Sequence, residues 1–245
     1  FKSLLFIGSG VISQNLGTRN IEAMGGLVHR AKYFVVLFLI GSVAICGIPP
    51  LNGFISEFII FNGFFTSAHE CGGYYPLLML LLTVGLAFVG GLAIACFSKI
   101  NSIMFLGSER KESCMFHVGA CSYIALGMLA AVCVGIGFCP GPFLSVINSV
   151  LTAGFVPAGS PSKLMEINWV GISLVFLSFT AGVLLLAALK AWARKRYGKR
   201  RSAAWGCGYD RLDARMQYTA SSFADELNGI PSSVLVYEKE ENTPG

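Results

Sequence analysis

Gly47-Ile48-Pro49-Pro50-Leu51-Asn52-Gly53-Phe54-Ile55-Ser56-Glu57 decides how this chain folds. It interrupts an apolar run over residues 33–65, too long for one straight bilayer span and too short for two. Neither Pro49 nor Pro50 can donate a backbone hydrogen bond, and their rings clash with the preceding turn. Carbonyls such as those of Val43, Ala44, Ile45 and Cys46 are therefore expected to be partly unpaired. At membrane depth such groups are tolerated only inside protein or against a hydrated cavity, and discontinuous helices of this kind recur at ion sites in transporters. The segment predicts one broken transmembrane helix with Pro49, Pro50, Asn52 and Gly53 at the break. An ordinary proline kink without function is the bland alternative.

Four further apolar runs lie around it, over residues 3–16, 75–97, 119–138 and 169–189; the last three have about the 20 residues that cross a bilayer. The composition agrees: 54% of residues are hydrophobic and only 13% charged, which argues against a freely soluble enzyme and against disorder. The net charge of +5 is not spread like a nucleic-acid surface, because seven of the 18 Lys and Arg fall in residues 190–201, flanking the last run. Arg19, Arg30 and Lys32 lie in the first loop, and Lys99, Arg110 and Lys111 in the third. Residues 66–74 carry no Lys or Arg, and residues 139–168 carry only Lys163. Basic and non-basic loops alternate strictly if residues 33–65 cross once, so the charge pattern also reads that run as one discontinuous span.

The start, Phe1-Lys2-Ser3-Leu4-Leu5-Phe6, has no initiator Met, charged leader or small-residue cleavage site, and reads as a chain beginning in mid-helix. The eight cysteines form no C-x-x-C pair and mostly lie in or beside apolar runs, which disfavours a disulfide framework or metal cage. No glycine-rich nucleotide motif is present. No catalytic, cofactor-binding or metal-ligating set is expected.

Glu57 is the one acid inside the five runs. A charge at mid-helix costs about 2.5–3.5 kcal/mol on insertion scales, so it should face a partner or water, a setting that suits a proton relay. It is expected in the first turn of the second half-helix, near the positive end of the helix dipole; a hydrogen-bonded packing role is the alternative. Lys2 is its basic counterpart, either proton carrier or chain-end residue. Lys99 reads as an interfacial anchor, with a relay role as the alternative. His29, His69 and His117 read as loop histidines. The small residues Gly127, Ala131 and Gly135 make a stripe expected to pack tightly on a neighbouring helix.

Together, Phe1-Lys2-Ser3-Leu4-Leu5-Phe6, Met24-Gly25-Gly26-Leu27 and the segment from Gly47 to Glu57 resemble the antiporter-like proton-translocating membrane subunits. That family includes large membrane subunits of NADH:quinone oxidoreductase, multisubunit sodium/proton antiporters and energy-converting hydrogenases. Trp205-Gly206-Cys207-Gly208-Tyr209 and Arg215-Met216-Gln217-Tyr218-Thr219-Ala220-Ser221-Ser222-Phe223-Ala224 are similar to a segment of the branch found in hydrogenase-4 and formate hydrogenlyase complexes. The resemblance implies two inverted five-helix repeats, of which this chain resembles the C-terminal portion. It implies that Lys2 lies on a central hydrophilic axis and that Glu57 passes protons onward.

The expected fold is an all-α polytopic membrane bundle of about five spans (residues 1–189) followed by a basic juxtamembrane segment and tail (residues 190–245). The expected setting is the cytoplasmic membrane of a bacterium or archaeon, with a cytoplasmic C-terminus. The expected function is non-catalytic proton translocation in a hydrogenase complex. Its partners would be other membrane subunits, a peripheral hydrogenase arm, lipid and protons, with sodium the rival ion and nucleic acid excluded. Trp205, Tyr209, Arg215, Met216, Tyr218 and Phe223 are the expected docking residues. A non-pumping membrane anchor, or a component of a quinone oxidoreductase or antiporter, are the alternatives.

Overall fold

The computed structural model describes residues 1–107, 116–154, 167–198 and 219–222. The chain runs as α1 (Lys2–Leu16), a 3-10 turn (Ile21–Ala23), α2 (Leu27–Arg30), α3 (Lys32–Ile45), α4 (Asn52–Glu70), α5 (Tyr75–Ile100) with a π-helical turn (Asn101–Phe105), α6 (Ala120–Phe138), α7 (Pro140–Gly154) and α8 (Trp169–Tyr197). It is a helical membrane bundle: the helices Tyr75–Phe105, Ala120–Phe138 and Trp169–Tyr197 are long and apolar enough to cross a bilayer. Leu77, Leu81 and Phe88 on α5 and Leu184 and Leu186 on α8 point outward, as lipid-facing side chains do.

The run over residues 33–65 divides as the two prolines require, into α3 and α4 with residues 46–51 between them. At 14 residues α3 rises about 21 Å, short of a hydrocarbon core of about 30 Å. The basic end of α8 carries Arg194, Lys195 and Arg196 in its last turn.

The main core lies where α1, α3, α6 and the π-helical turn meet. Close approach is reciprocal between α1 and α3: a Cβ at Gly8 would meet Phe38, and one at Gly41 would meet Leu4. Phe38 stacks edge-on against Phe105, with ring centroids 5.1 Å apart, and Phe34 packs on Phe116 at 5.4 Å. A satellite core of Ile55, Leu144, Trp169 and Phe176 joins α4, α7 and α8.

Three expectations need correction. The third loop does not begin after Phe97: α5 continues to Ile100, and the π-helical turn buries Ile103, Met104 and Phe105, because these apolar residues complete the core. Residues 139–168 are not simply a loop, since α7 occupies Pro140–Gly154 with Phe143, Val146, Ile147 and Val150 along one side. The packed face of α6 is not the Gly127, Ala131, Gly135 stripe, whose two glycines meet nothing within 4 Å among the described residues. It is Leu126, Ala130, Cys133 and Gly137, also at helical spacing, and these four are buried.

Candidate functional site at the helix break

The break is a built structure with its polar groups largely met. Gly47 takes φ 64, the left-handed conformation that glycine adopts without penalty. That reversal aims the Ile48 N–H at the Val43 carbonyl (3.3 Å) and the Gly47 N–H at the Ala44 carbonyl (3.2 Å), the paired bonds of a Schellman cap. The Cys46 N–H donates to the Ser42 carbonyl. The carbonyls of Val43 and Ala44 are therefore paired, contrary to expectation, because the cap supplies the donors that the prolines cannot.

Two backbone approaches close the break. A Cβ at Gly53 would collide with the Ala44 carbonyl, so the start of α4 sits directly on the end of α3. A Cβ at Gly137 would collide with the Pro50 carbonyl, so α6 covers the break from the side. Leu51 is extended (φ −97, ψ 165) and caps α4, which starts at Asn52. Glu57 is consequently in the second turn, not the first, and lies further from the helix terminus than expected.

The Glu57 carboxylate folds back over the break: a Cβ at Gly47 would meet Glu57 Oε2, Cδ and Oε1. The buried Cys46 thiol is within electrostatic reach of Glu57 on one side and of Cys96 on α5 on the other. Asn52, expected at the break, is there, and its Oδ1 is buried with no hydrogen-bond partner. Pro49 and Pro50 form the connection itself.

Lys2 is the first residue of α1 and is exposed. Among the described residues no hydrogen bond or ion pair joins it to Glu57. Lys99 is half-buried in the last turn of α5. Trp205, Tyr209, Arg215, Met216, Tyr218 and Phe223 lie outside the described residues.

Three polar features escaped the sequence reading. Ser42, 1% exposed, donates to the Phe38 carbonyl (3.1 Å) and to Asn101 Oδ1 (3.4 Å), tying α3 to the π-helical turn. Asn101 Nδ2 in turn donates to the Phe97 carbonyl at 2.7 Å. A cavity of about 710 Å³ beside α1 is lined by Ser9, Ser13, Gln14, Arg19, Phe38 and Met104, among others. Glu22 Oε1 accepts the Ser221 N–H at 2.7 Å, which holds part of the tail against the turn after α1. The small-polar spacing of Ser9 and Ser13 is visible in sequence, but the two pairings join residues 59 and 199 positions apart and leave no local signal.

The site is thus a broken helix with a carboxylate folded over its break, set in a helical membrane bundle, and residues 1–87 match the family described as NADH:quinone oxidoreductase/Mrp antiporter, transmembrane. The chain is similar to formate hydrogenlyase subunit 3 of Escherichia coli (strain K12), 32% identical over 241 residues that cover 98% of this chain and 38% of the relative. It is also similar to hydrogenase-4 component B of the same strain, 34% identical over 220 residues, covering 85% of this chain and 33% of the relative. A Na(+)/H(+) antiporter subunit of Alkalihalophilus pseudofirmus is 26% identical over 212 residues, covering 80% of this chain and 26% of the relative. The chain thus spans well under half the length of these curated relatives.

Proposed function

We propose that the chain is a proton-translocating portion of the membrane arm of an energy-converting hydrogenase complex, of the hydrogenase-4 or formate hydrogenlyase type. The observation that carries the reading is the Glu57 carboxylate folded over Gly47 at the break of a membrane helix. The similarity to formate hydrogenlyase subunit 3 and hydrogenase-4 component B directs it to hydrogenase complexes.

A carboxyl group at such a break has what a relay needs. It binds and releases one proton, and the apolar surroundings make its charged state sensitive to hydration and to nearby charges. Moving one charge against 100 mV requires about 2.3 kcal/mol, which electron transfer in partner subunits would supply. Lys2 is the proposed basic partner along the path, and Lys99 the interfacial anchor at the inner end of α5. By the positive-inside rule, the basic loops and the basic end of α8 support a reading with the cytoplasm on their side of a bacterial inner membrane.

The reading is tested by Glu57→Gln in the assembled complex in sealed vesicles. Hydrogen turnover should persist while proton movement is lost; proton movement at the wild-type rate rejects the role of Glu57. The likeness to the Alkalihalophilus antiporter protein supports a second reading, sodium/proton exchange, which predicts that transport depends on sodium.

A further inference from the structure

Helix α8 is longer than the bilayer it crosses. Residues 169–189 contain no Lys, Arg, Asp or Glu and make about 31 Å of helix, the thickness of a hydrocarbon core. Lys190 therefore stands where the helix leaves hydrocarbon. Arg194, Lys195 and Arg196 follow about 6–9 Å further along the same unbroken helix, which runs to Tyr197. That distance is comparable with the screening length of about 8 Å at physiological ionic strength, so all four cations act on the headgroup layer.

Among the described residues nothing neutralises them. All four are exposed, and no hydrogen bond or ion pair joins their side chains to another residue. Residues 167–209 contain no Asp or Glu. The outer half of the same helix, at Leu177, Leu184 and Leu186, is exposed as well, so lipid can reach α8 from the hydrocarbon up to its basic end.

The arrangement of the charges favours a lipid leaflet over a protein as the partner. At about 100° per residue, Arg194, Lys195 and Arg196 lie about 40°, 140° and 240° around the helix from Lys190, and no empty sector is wider than about 120°. A protein docks on one side of a helix, whereas a leaflet surrounds it. Trp192 and Tyr197, 58% and 77% exposed, stand among the cations, and such rings belong at the headgroup level.

We propose that residues 190–196 form a binding collar for anionic phospholipids of the leaflet on the basic side. The Arg194 and Arg196 guanidiniums would take headgroup phosphates through paired hydrogen bonds, with Lys190 and Lys195 as point charges. Each basic residue near an anionic leaflet strengthens binding about fivefold. The collar would fix the depth of α8 at one end, as packing of Trp169 and Phe176 in the satellite core fixes it at the other. None of this rests on the proposed transport function.

The test uses the assembled complex in nanodiscs of phosphatidylcholine with a minority of phosphatidylglycerol. The photocrosslinker benzoylphenylalanine replaces Trp192, and adducts are identified by mass spectrometry. The same photocrosslinker in place of Val170, exposed at the other end of α8, is the reference. Phosphatidylglycerol should be over-represented at least about fivefold relative to the bulk among adducts at the Trp192 position, and not at the Val170 position. Arg194→Gln, Lys195→Gln and Arg196→Gln combined should return the adducts to the bulk ratio, whereas Arg194→Lys with Arg196→Lys, which keeps the charge, should retain the enrichment. Should the triple variant fail to assemble, salt at about 1 M, where the screening length is about 3 Å, tests the unsubstituted collar and should lower the enrichment. A bulk lipid ratio at the Trp192 position, or adducts to another subunit in place of lipid, overturns the collar. So does enrichment that survives the triple substitution or the salt.

Discussion

The carboxylate of Glu57 lies over the Cα of Gly47, across a break at which one helix ends in a Schellman cap and the next begins at Asn52. Gly47 serves both partners of that relationship. Its left-handed backbone makes the cap, and its missing side chain leaves room for the carboxylate.

Gly47→Ala should therefore be damaging twice. Left-handed backbone costs an L-residue about 1–2 kcal/mol, and the new methyl group occupies the place of the carboxylate. Thermal denaturation of the purified complex should show the destabilisation, and proton transport should fall more than the amount of assembled complex does. Unchanged transport at normal assembly would mean that the carboxylate is free to sit elsewhere.

Gly137 and Gly127 separate the two faces of α6. Gly137→Leu forces a side chain against the Pro50 carbonyl, and overpacking of this kind costs about 1–3 kcal/mol. Gly127→Ala meets open space and should shift stability by no more than about 0.5 kcal/mol. The midpoints of thermal unfolding of the two variants measure the contrast.

Ser42→Ala removes the donor that reaches Asn101 Oδ1 between α3 and the π-helical turn. Leaving a partly buried acceptor unmet costs about 1–3 kcal/mol. The expected result is a lower unfolding midpoint, with Ser42→Thr, which keeps a hydroxyl, less affected.

Glu22→Ala should loosen the tail at Ser221. The carboxylate caps the helical turn that begins after Thr219, whose own hydroxyl accepts from the Ser222 N–H at 3.2 Å. A cap is worth about 1 kcal/mol, so a thiol placed at the buried Ala220 should label about fivefold faster once Glu22 is gone.

Much of the membrane architecture was legible because it depends on local chemistry. Two adjacent prolines stop a helix wherever they fall in an apolar run, and a single acid among five such runs stands out without any tertiary information. What was lost depended on neighbours. The apolar i, i+3, i+4, i+7 pattern of Phe143, Val146, Ile147 and Val150 was present for α7, but the Pro140-Gly141-Pro142 start masks it as a loop. On α6 two small-residue faces compete, and only the position of Pro50 selects the one with Gly137. The depth of Glu57 followed from where Leu51 ends its extended stretch. Asn52 and Gly53 read as part of the break, yet Gly53 lies within the first turn of the helix because its bare Cα fits beneath the Ala44 carbonyl.

The most direct measurement of the Glu57 relay is the number of protons moved per molecule of hydrogen turned over, followed in sealed vesicles with wild-type, Glu57→Asp and Glu57→Gln complexes. A relay through Glu57 requires the ratio to fall to the leak background in Glu57→Gln and to be at least partly retained in Glu57→Asp, with hydrogen turnover continuing in all three. A Glu57→Gln complex that keeps the wild-type ratio would contradict it.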